Sequence, residues 1–461
     1  MLPGILLYST DFKQPFPGGV GVGVLLSAAV PSSVQLAGRT RRHIAARLLP
    51  FLFVLYVANY IDRTNLAYAA LGMTRDLGFT DRIIGLGIGI FFVTYVAGQT
   101  PGALLVERWS ARRMIGTSMI AWGLLTMLTA AVRTPGQLYL VRFALGAAEA
   151  AFFPGVIVYL SHWFIREDRA KATSNFMAAI PLSFVIGSPV AGWILGHTWF
   201  GFAGWRWLFV LEGIPAILLG AVSFFFLTDW PQQATWLAPP QRDWIRDRLR
   251  QETASSSPKT SVWHALTSRT ILRLATAAFI SYLPMYSFAF WIPTMLKSFS
   301  GLSDVRVGVL GAIPYLVTFV AMQVNGWHSD RSGERHCHSA IPIFLAAIGA
   351  IGLISQPRSL FALVVFFTLG ANIYSYLPTF FAIPTETLSE SAAAAAVGMI
   401  NSFGSVAGFA GPYAFGYLHA QTGSFKYGLA GMAVAALAGA VMIFRAPRSM
   451  HAIDRQMLAL H

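Results

Sequence analysis

The sequence predicts an all-α membrane protein with twelve transmembrane helices, arranged as two pseudo-symmetric six-helix bundles. Its composition, its apolar runs and an internal repeat lead to this prediction. Of the 461 residues, 55% are hydrophobic and 11% are charged, and the mean hydropathy is +0.58. Soluble domains carry about 25% charged residues, so the composition excludes an ordinary soluble protein.

Twelve apolar runs are long enough to cross the hydrocarbon layer of a bilayer, which is about 30 Å thick. Six of them precede a long polar stretch and six follow it. The 42 glycines and 24 prolines suit helices that pack closely and bend within a membrane. The runs lie near residues 48–70, 82–105, 114–133, 137–160, 172–196, 206–228, 271–297, 305–327, 340–356, 359–382, 394–419 and 425–444.

The polar stretch between the two sets of runs predicts the domain boundary. It contains the charged segment 242–250, which is typical of a short amphipathic surface helix, followed by a serine-rich linker. The first residues of the chain are rich in Gly, Pro and Ser, and we expect them to be a disordered extension. The predicted order is extension 1–38, N-terminal bundle 39–228, cytoplasmic linker 229–270, C-terminal bundle 271–446 and cytoplasmic tail 447–461.

The basic residues lie in short clusters between the apolar runs. The net charge of +14 could indicate nucleic-acid binding, but no soluble basic domain is visible, and membrane topology explains the clusters better. If twelve spans alternate, these clusters fall on one side, which places both termini in the cytoplasm and the protein in the cytoplasmic (inner) membrane. The clusters are Arg39/Arg41/Arg42/Arg47, Arg108/Arg112/Arg113, Arg166/Arg169/Lys171, the linker and Arg445/Arg448.

Cysteine usage and motif content argue against a metal or an enzyme site. Cys337 is the only cysteine, so no intrachain disulfide can form. The tract His336-Cys337-His338 extends a basic loop and lacks further ligands, so we predict no metal and no cofactor. No Ser/His/Asp grouping, metal-ligand helix or glycine-rich phosphate loop occurs at usable spacing, and we do not expect an enzyme.

Charged side chains inside the apolar runs are the strongest functional signal. At about 1.5 Å per helical residue, Asp62 lies roughly 22 Å from Arg47 and about 20 Å from Arg75, close to the middle of the membrane. We interpret Asp62 and the adjacent Arg63 as a carboxylate–guanidinium pair. Charges at this depth are costly, and they usually face a partner or a watery cavity.

A second pair of charges lies in the fourth run. Arg142 and Glu149 are seven residues apart, about two helical turns, and therefore lie on one face. Both carboxylates, when ionised, can neutralise both guanidinium groups. Protonation of Asp62 or Glu149 leaves an Arg with unmatched charge, which a substrate carboxylate can pair with. The alternative is that these residues are fixed ion pairs that hold helices together, with Arg63 a permanent counter-ion of Asp62.

Two loop segments repeat the same charge pattern in the two halves of the chain. In residues 102–113 and 326–336 an acid and an Arg are adjacent, and a further Arg follows the acid by five residues. Duplicated halves predict alternating access at their interface. The residues of this predicted gating motif are Glu107, Arg108, Arg112, Arg113, Asp330, Arg331 and Arg335.

With these segments the chain resembles the major facilitator superfamily. It is most similar to the anion:cation symporter branch, which includes tartrate, phthalate and sugar-acid transporters. The similarity covers roughly residues 40–450. The matching segments are 59–66, 142–154, 204–215, 290–294, 311–315, 328–331 and 398–402 running on to 411–412.

The resemblance implies roles for the buried charges. It implies that Asp62 and Glu149 carry protons, and that Arg63 and Arg142 lie near an anionic substrate. Polar side chains at membrane depth are weaker candidates for substrate contacts, with packing as the alternative; they are Tyr60, Tyr286, Tyr374 and Asn401.

One position departs from the pattern of some sugar-acid carriers. Ile180 lies in the fifth span, where those carriers have a polar side chain that contacts substrate hydroxyls. A heavily hydroxylated substrate is therefore disfavoured, and a tartrate-like or aromatic carboxylate fits better.

The sequence thus predicts a secondary active transporter that imports a small organic carboxylate together with protons. Two carboxylates predict two protons per monoanion and electrogenic uptake. We expect a monomer whose partners are the anion, protons and the lipid bilayer, with no nucleic acid. The alternatives are an organic-anion exchanger, a proton-coupled drug antiporter or, from another class, a polytopic membrane enzyme or receptor.

Overall fold

The computed structural model describes residues 33–255, 268–387 and 390–446. Residues 1–32 of the predicted extension and the predicted tail 447–461 lie outside the described residues, whereas residues 33–38 begin the first helix. The described chain is almost entirely helical. The helices of the first half are α1 (Ser33–Leu77), α2 (Asp81–Arg108), α3 (Ala111–Thr129), α4 (Pro135–Glu149), α5 (Phe152–Trp163), α6 (Arg166–Met177), α7 (Ala179–Leu195) and α8 (Gly204–Phe226).

The second half begins after the predicted linker. The linker holds a 3-10 turn (Pro231–Gln233) and α9 (Pro239–Ser255), which contains the predicted surface helix. The remaining helices are α10 (Arg269–Ser300), α11 (Asp304–Ser332), α12 (His336–Ile354), α13 (Leu360–Ala371), a 3-10 turn (Asn372–Tyr376), α14 (Leu377–Thr387), α15 (Glu390–Ser405), α16 (Ala407–Thr422) and α17 (Lys426–Phe444).

Within the described residues, ten helical stretches are long and apolar enough to cross a bilayer. The other two predicted spans correspond to α3 and to the α15–α16 pair. The predicted all-helical membrane architecture is confirmed.

Four predicted spans are each built from two helices rather than one: α4–α5, α6–α7, α13–α14 and α15–α16. Irregular backbone at membrane depth is tolerated where neighbouring protein or a cavity satisfies the freed backbone groups. One of these breaks follows Glu149, the last residue of α4, and another holds the 3-10 turn with Tyr374.

A small hairpin interrupts the helical pattern between α7 and α8. Strand β1 (Thr198–Trp199) pairs with β2 (Phe202–Ala203) in an antiparallel ladder. Both central turn residues have positive φ, 52° at Phe200 and 77° at Gly201, as a type I′ turn requires.

The two bundles are joined by charged contacts at the end of the molecule opposite α9, which we call the distal end. Arg75, near the end of α1, donates to Asp304 at the start of α11 (2.7 Å). Asp81 at the start of α2 pairs with His419 of α16. These contacts join sequence-distant helices, so they hold the two halves together at this end.

Close backbone packing accompanies the ion pairs at the distal end. Gly192 of α7 meets Gly308 of α11, and a Cβ added at Gly308 would lie 2.4 Å from the carbonyl oxygen of Ser188. Only glycine permits this approach, so the two helices cross in direct backbone contact.

Helix α9 covers the other end of the N-terminal bundle. Its Ile245 is buried, and the carboxylate of its Glu252 accepts the backbone N–H of Arg166. The guanidinium of Arg47 lies over the rings of Phe226 (4.6 Å) and Trp236 (4.9 Å). The linker helix is therefore packed onto the bundle.

Candidate functional site

The ionic centre of the molecule is the pair formed by Arg63 of α1 and Glu149 of α4. Nη2 of Arg63 donates to Oε2 of Glu149 at 2.9 Å, and Nε donates to the same oxygen at 3.3 Å. Asn59, one turn before Arg63, adds a third donor at 2.9 Å. Both charged side chains are buried, with 4% and 0% of their surface exposed. The pair is therefore removed from solvent and held by charge-assisted hydrogen bonds.

Asp62 is not the hydrogen-bonded partner of Arg63, contrary to our interpretation of the adjacent residues. Its Oδ2 accepts from the Thr126 hydroxyl (2.8 Å) and its Oδ1 from the Asn65 amide (2.9 Å). Successive residues on a helix point about 100° apart, so Asp62 faces α3 while Arg63 faces α4. The two carboxylates thus lie in different settings, one beside a cation and one among neutral donors.

Arg142 is buried, and among the described residues no carboxylate is its hydrogen-bond partner. Its Nε donates to the carbonyl oxygen of Gly87 at 3.3 Å, and its guanidinium carbon lies 4.8 Å from the centre of the Phe91 ring. Its Nη2 has no hydrogen-bond partner in the part of the chain that the structure describes. Arg142 therefore keeps unused donor capacity near the ionic centre.

A small cavity lies between the two bundles beside Arg63. Arg63 is the one charged side chain in the described lining. We call this space the central cavity; both bundles contribute side chains to it. It is lined by Tyr56, Tyr60, Arg63, Tyr95, Phe153, Met177 and Ile180 from the N-terminal bundle, and by Tyr282, Met285, Tyr286, Leu377, Asn401 and Ser405 from the C-terminal bundle.

The central cavity brings together part of the predicted substrate contacts. Tyr60, Tyr286 and Asn401 line it together with Arg63. Tyr374 instead lies in the 3-10 turn, with its ring 5.9 Å from that of Phe184. Sequence reasoning thus found three polar lining residues and one tyrosine that packs away from the lining.

The repeated loop motif forms different contacts in its two copies. In the second copy Arg335 donates to Asp330 at 2.6 Å, the acid five residues before it. In the first copy Arg112 lies 3.9 Å from Asp229, beyond α8, and the same carboxylate accepts its backbone N–H (2.9 Å).

The remaining motif residues are only partly described. Arg331 lies over Trp327 at 5.8 Å, and the backbone N–H of Arg113 donates to Ser110. Glu107 and Arg108 lie at the end of α2, and their side chains are outside the described set.

Glu334, in the loop before α12, caps that helix. Its carboxylate accepts the backbone N–H of Cys337 (2.7 Å) and of His338 (3.2 Å), and it contacts the His338 ring at 2.9 Å. Partial burial by itself would raise the pKa of Glu334, but these donors lower the pKa to about 2. In the described ranges no group of three His, Cys, Asp or Glu side chains could hold a metal ion.

The sequence profile of the Major Facilitator Superfamily matches residues 52–412, with a second, overlapping match over 274–456. The chain belongs to this superfamily. A protein of Agrobacterium vitis whose name proposes tartrate transport is 40% identical over 418 residues, which cover 90% of this chain and 93% of that relative. The Quinolone resistance transporter of Acinetobacter baumannii is 34% identical, covering 87% and 94% of the two chains. NicT of Pseudomonas putida, whose name proposes metabolite transport, is 37% identical, covering 82% and 87%.

Solved structures of the superfamily share the fold. A D-xylose–proton symporter superimposes with a TM-score of 0.70 at 13% identity, covering 87% of this chain and 97% of that one. A bacterial homologue of the human lysosomal transporter Spinster, inward-facing and occupied, gives 0.68 at 17%, covering 87% and 95%. The family and fold predicted from sequence are confirmed, and the protein is a multi-pass membrane transporter.

Sequence reasoning missed one buried acid, Glu212 of α8, and the neutral donors around the two carboxylates. Glu212 is 9% exposed, and its Oε2 has no hydrogen-bond partner among the described residues. The signal was available, because Glu212 is the only charge within the apolar run 207–227. Thr126 carried no such signal, since a threonine in an apolar helix commonly bonds its own backbone.

Proposed function

We propose that this superfamily member is a proton-coupled symporter that takes up a small organic carboxylate across the cytoplasmic membrane. The observation that carries the proposal is that Arg63, the charged side chain of the central cavity, is paired with the carboxylate of Glu149. The protonation of Glu149 thus decides whether the positive charge of Arg63 is free to bind an anion in the cavity.

The coupling follows from the charge balance of this pair. While Glu149 is ionised, it neutralises Arg63, and the cavity has little attraction for an anion. When Glu149 takes a proton, Arg63 is left with an unmatched charge in a medium of low dielectric. A substrate carboxylate then replaces the lost partner, so that proton and anion bind cooperatively.

Asp62 supplies the second proton in this proposal, and Arg142 a second positive charge. Asp62 is fully buried among neutral donors, so its negative charge is not locally matched by a hydrogen-bonded cation. Two protons per monoanion carry one net positive charge, which adds about 2.3 kcal/mol per 100 mV of membrane potential to the driving force. We therefore propose electrogenic uptake.

The lining of the central cavity supports a small or aromatic carboxylate. Aromatic and methionine side chains surround the single charged group of the described lining, Arg63, and a few polar groups in a mostly apolar lining are typical of small-molecule sites. Ile180 lies in this lining, so the apolar side chain noted in the sequence faces the space where substrate hydroxyls would lie. Tartrate, proposed as substrate for the Agrobacterium vitis relative, is the first anion to test.

The orientation is part of the same proposal. Lys and Arg accumulate on the cytoplasmic side of membrane proteins, and the basic loops and α9 lie at one end of the bundle. We assign that end to the cytoplasm, with both termini there, and the distal end to the outside.

The decisive experiment uses purified protein in proteoliposomes with an imposed pH gradient and radiolabelled tartrate. Wild type should accumulate tartrate, which carries two negative charges at neutral pH, so that two protons balance it and the membrane potential has little effect. An aromatic monocarboxylate such as labelled benzoate, taken up with two protons, should accumulate more when the inside is negative. Glu149→Gln, which imitates the protonated acid, should bind the anion with an affinity that depends less on pH, and its accumulation should fall about tenfold at a gradient of one pH unit. Uptake that depends neither on the pH gradient nor on the membrane potential would reject symport and favour exchange. Symport makes the external medium more alkaline when substrate is added, so acidification of the medium would favour a drug-type antiporter.

A further inference from the structure

A second cavity lies beside α1, on a different face from the central cavity. It is a small space between α1, α7 and α8, and we call it the Glu212 cavity. Residues 56, 60 and 63 of α1 face the central cavity, whereas residues 61, 64, 65 and 68 face this one. The substrate space and the Glu212 cavity are therefore separated by the helix that carries Asp62.

Three buried polar atoms around the Glu212 cavity have no hydrogen-bond partner among the described residues. They are Oε2 of Glu212, Oδ1 of Asn65 and Oγ of Ser188, on side chains that are 9%, 2% and 1% exposed. Buried polar atoms are normally hydrogen-bonded, and leaving one without a partner destabilises the fold. A proton on Glu212 and one water molecule would satisfy all three, because a buried water makes about three hydrogen bonds.

The two acids differ in their hydrogen bonds. Both oxygens of Asp62 accept bonds, from Thr126 and from Asn65, which suits an ionised carboxylate. Glu212 has an oxygen without a donor, and an unpaired buried carboxylate is costly. The arrangement therefore fits a neutral Glu212 and an ionised Asp62.

Asn65 connects the two acids. Its amide donates to Asp62, and its side chain lines the Glu212 cavity together with Glu212. The other groups facing Glu212 do not compensate a charge: α1 adds the titratable Tyr68, α3 adds Thr126 next to Asp62, and α7 adds Ser183 and Ser188. Two like charges in one apolar setting disfavour each other, so the protonation of each acid depends on the other.

We propose that Glu212 is a third proton-binding carboxylate of the transport cycle, which exchanges its proton with Asp62 through water in the Glu212 cavity. In this step the proton leaves Oε2 of Glu212 and passes to the water. A proton of that water then reaches Oδ1 of Asp62, which lies behind Asn65 and outside the described lining, so the Asn65–Asp62 hydrogen bond opens during the transfer. Asp62 becomes neutral and Glu212 ionised, with no other change. The inference rests on the proposed proton-coupled function, and Glu212 acts without touching the substrate.

The test compares two assays on Glu212→Gln in proteoliposomes. One is accumulation of tartrate driven by a gradient of one pH unit, and the other is counterflow of tartrate at equal pH, which needs no net proton movement. Each proton removed from the coupling lowers the accumulation ratio about tenfold at this gradient. We expect accumulation to fall about tenfold in Glu212→Gln while counterflow stays within about twofold of wild type.

Ser223→Ala is the matched control. Ser223 lies on the same helix, is fully buried, and its hydroxyl is bonded to the carbonyl of Leu219 (2.8 Å), away from the Glu212 cavity. It should leave both assays unchanged. Equal accumulation in Glu212→Gln and wild type would overturn the role of Glu212, whereas absence of pH-driven accumulation in wild type itself would overturn the proposed function.

A second variant decides the matter if Glu212→Gln also loses counterflow. Glu212→Asp keeps a carboxyl group that is one methylene shorter. A shifted pH profile of tartrate accumulation, with counterflow retained, supports proton binding at this position. A pH profile of accumulation equal to that of wild type contradicts proton binding at Glu212. Accumulation in wild type that is driven by a sodium gradient and not by a proton gradient contradicts it as well.

Discussion

The two bundles contribute different chemistry to the central cavity. The N-terminal bundle provides Arg63 to the lining, and it also holds the other buried charges of that half outside the lining: Asp62, Arg142, Glu149 and Glu212. From the C-terminal bundle come hydroxyl, amide and apolar side chains, among them Tyr286 and Asn401. Within 268–387 and 390–446, the buried acid is Asp304, at the distal end of α11.

This difference indicates that the two halves of the duplicated fold have different functions in transport. Buried charges are costly, and they need a fixed set of hydrogen-bond partners. The N-terminal bundle provides those partners, so we infer that it handles protons and charge. The C-terminal bundle lines the cavity with neutral side chains, which can differ without leaving a buried charge unpaired. We therefore infer that these side chains select the anion by its size and shape. Four substitutions test this division.

The largest effect is expected from Arg63→Met. The change leaves the Glu149 carboxylate buried with Asn59 as its remaining donor. Loss of one partner of a buried pair costs about 3–5 kcal/mol, so the unfolding temperature should fall sharply and tartrate binding should be lost. Thermal unfolding in detergent and isothermal calorimetry measure the two effects. A stable variant that still binds the anion would contradict the assignment of charge handling to this pair.

Asp62→Asn should affect transport far more than stability. The amide keeps one acceptor oxygen for Thr126 or Asn65, so about one hydrogen bond, worth about 1 kcal/mol, is lost. Proton-driven accumulation should fall about tenfold at a gradient of one pH unit, because one of the two coupled protons is lost, while counterflow remains. Accumulation equal to that of wild type would remove Asp62 from the proton path.

Tyr286→Phe in the C-terminal bundle should have a moderate effect on affinity alone. It removes a hydroxyl from the central cavity and keeps the ring, so the KM for tartrate should rise about fivefold, equivalent to about 1 kcal/mol. The pH dependence of uptake should not change. Tyr374→Phe is the matched control, since Tyr374 packs against Phe184 away from the lining, and an equal rise in both variants would remove the assigned role of the Tyr286 hydroxyl.

The smallest effect is expected from Glu334→Gln, outside the membrane. The pKa of Glu334 is lowered to about 2, so its ionised form stabilises the folded protein. This contribution is fully present above the ordinary pKa of about 4.3 and is lost as the pH falls through about 2. We expect a loss of about 1 kcal/mol at neutral pH that vanishes towards pH 2, measured by thermal unfolding, with no change in transport. A pH-independent loss would contradict the capping role of the carboxylate.

The sequence by itself determined the membrane class, the approximate limits of the spans and the family. A long apolar run predicts a transmembrane helix almost independently of context, because a helix satisfies its backbone polar groups within the run itself. The buried positions of Asp62, Arg63, Arg142 and Glu149 followed from the same runs. Their charge made them visible, because a charge at that depth stands out in any apolar sequence.

Only the tertiary structure decided which charges meet. Adjacent residues on a helix point in different directions, so Asp62 and Arg63 separate, and Arg63 pairs with Glu149 on another helix. The packing of α1 against α3 and α4 is set by side chains along their whole length, which no local pattern reveals. The same packing places Tyr374 away from the central cavity and brings the oxygen of Glu212 to a second cavity, next to the amide that bonds Asp62.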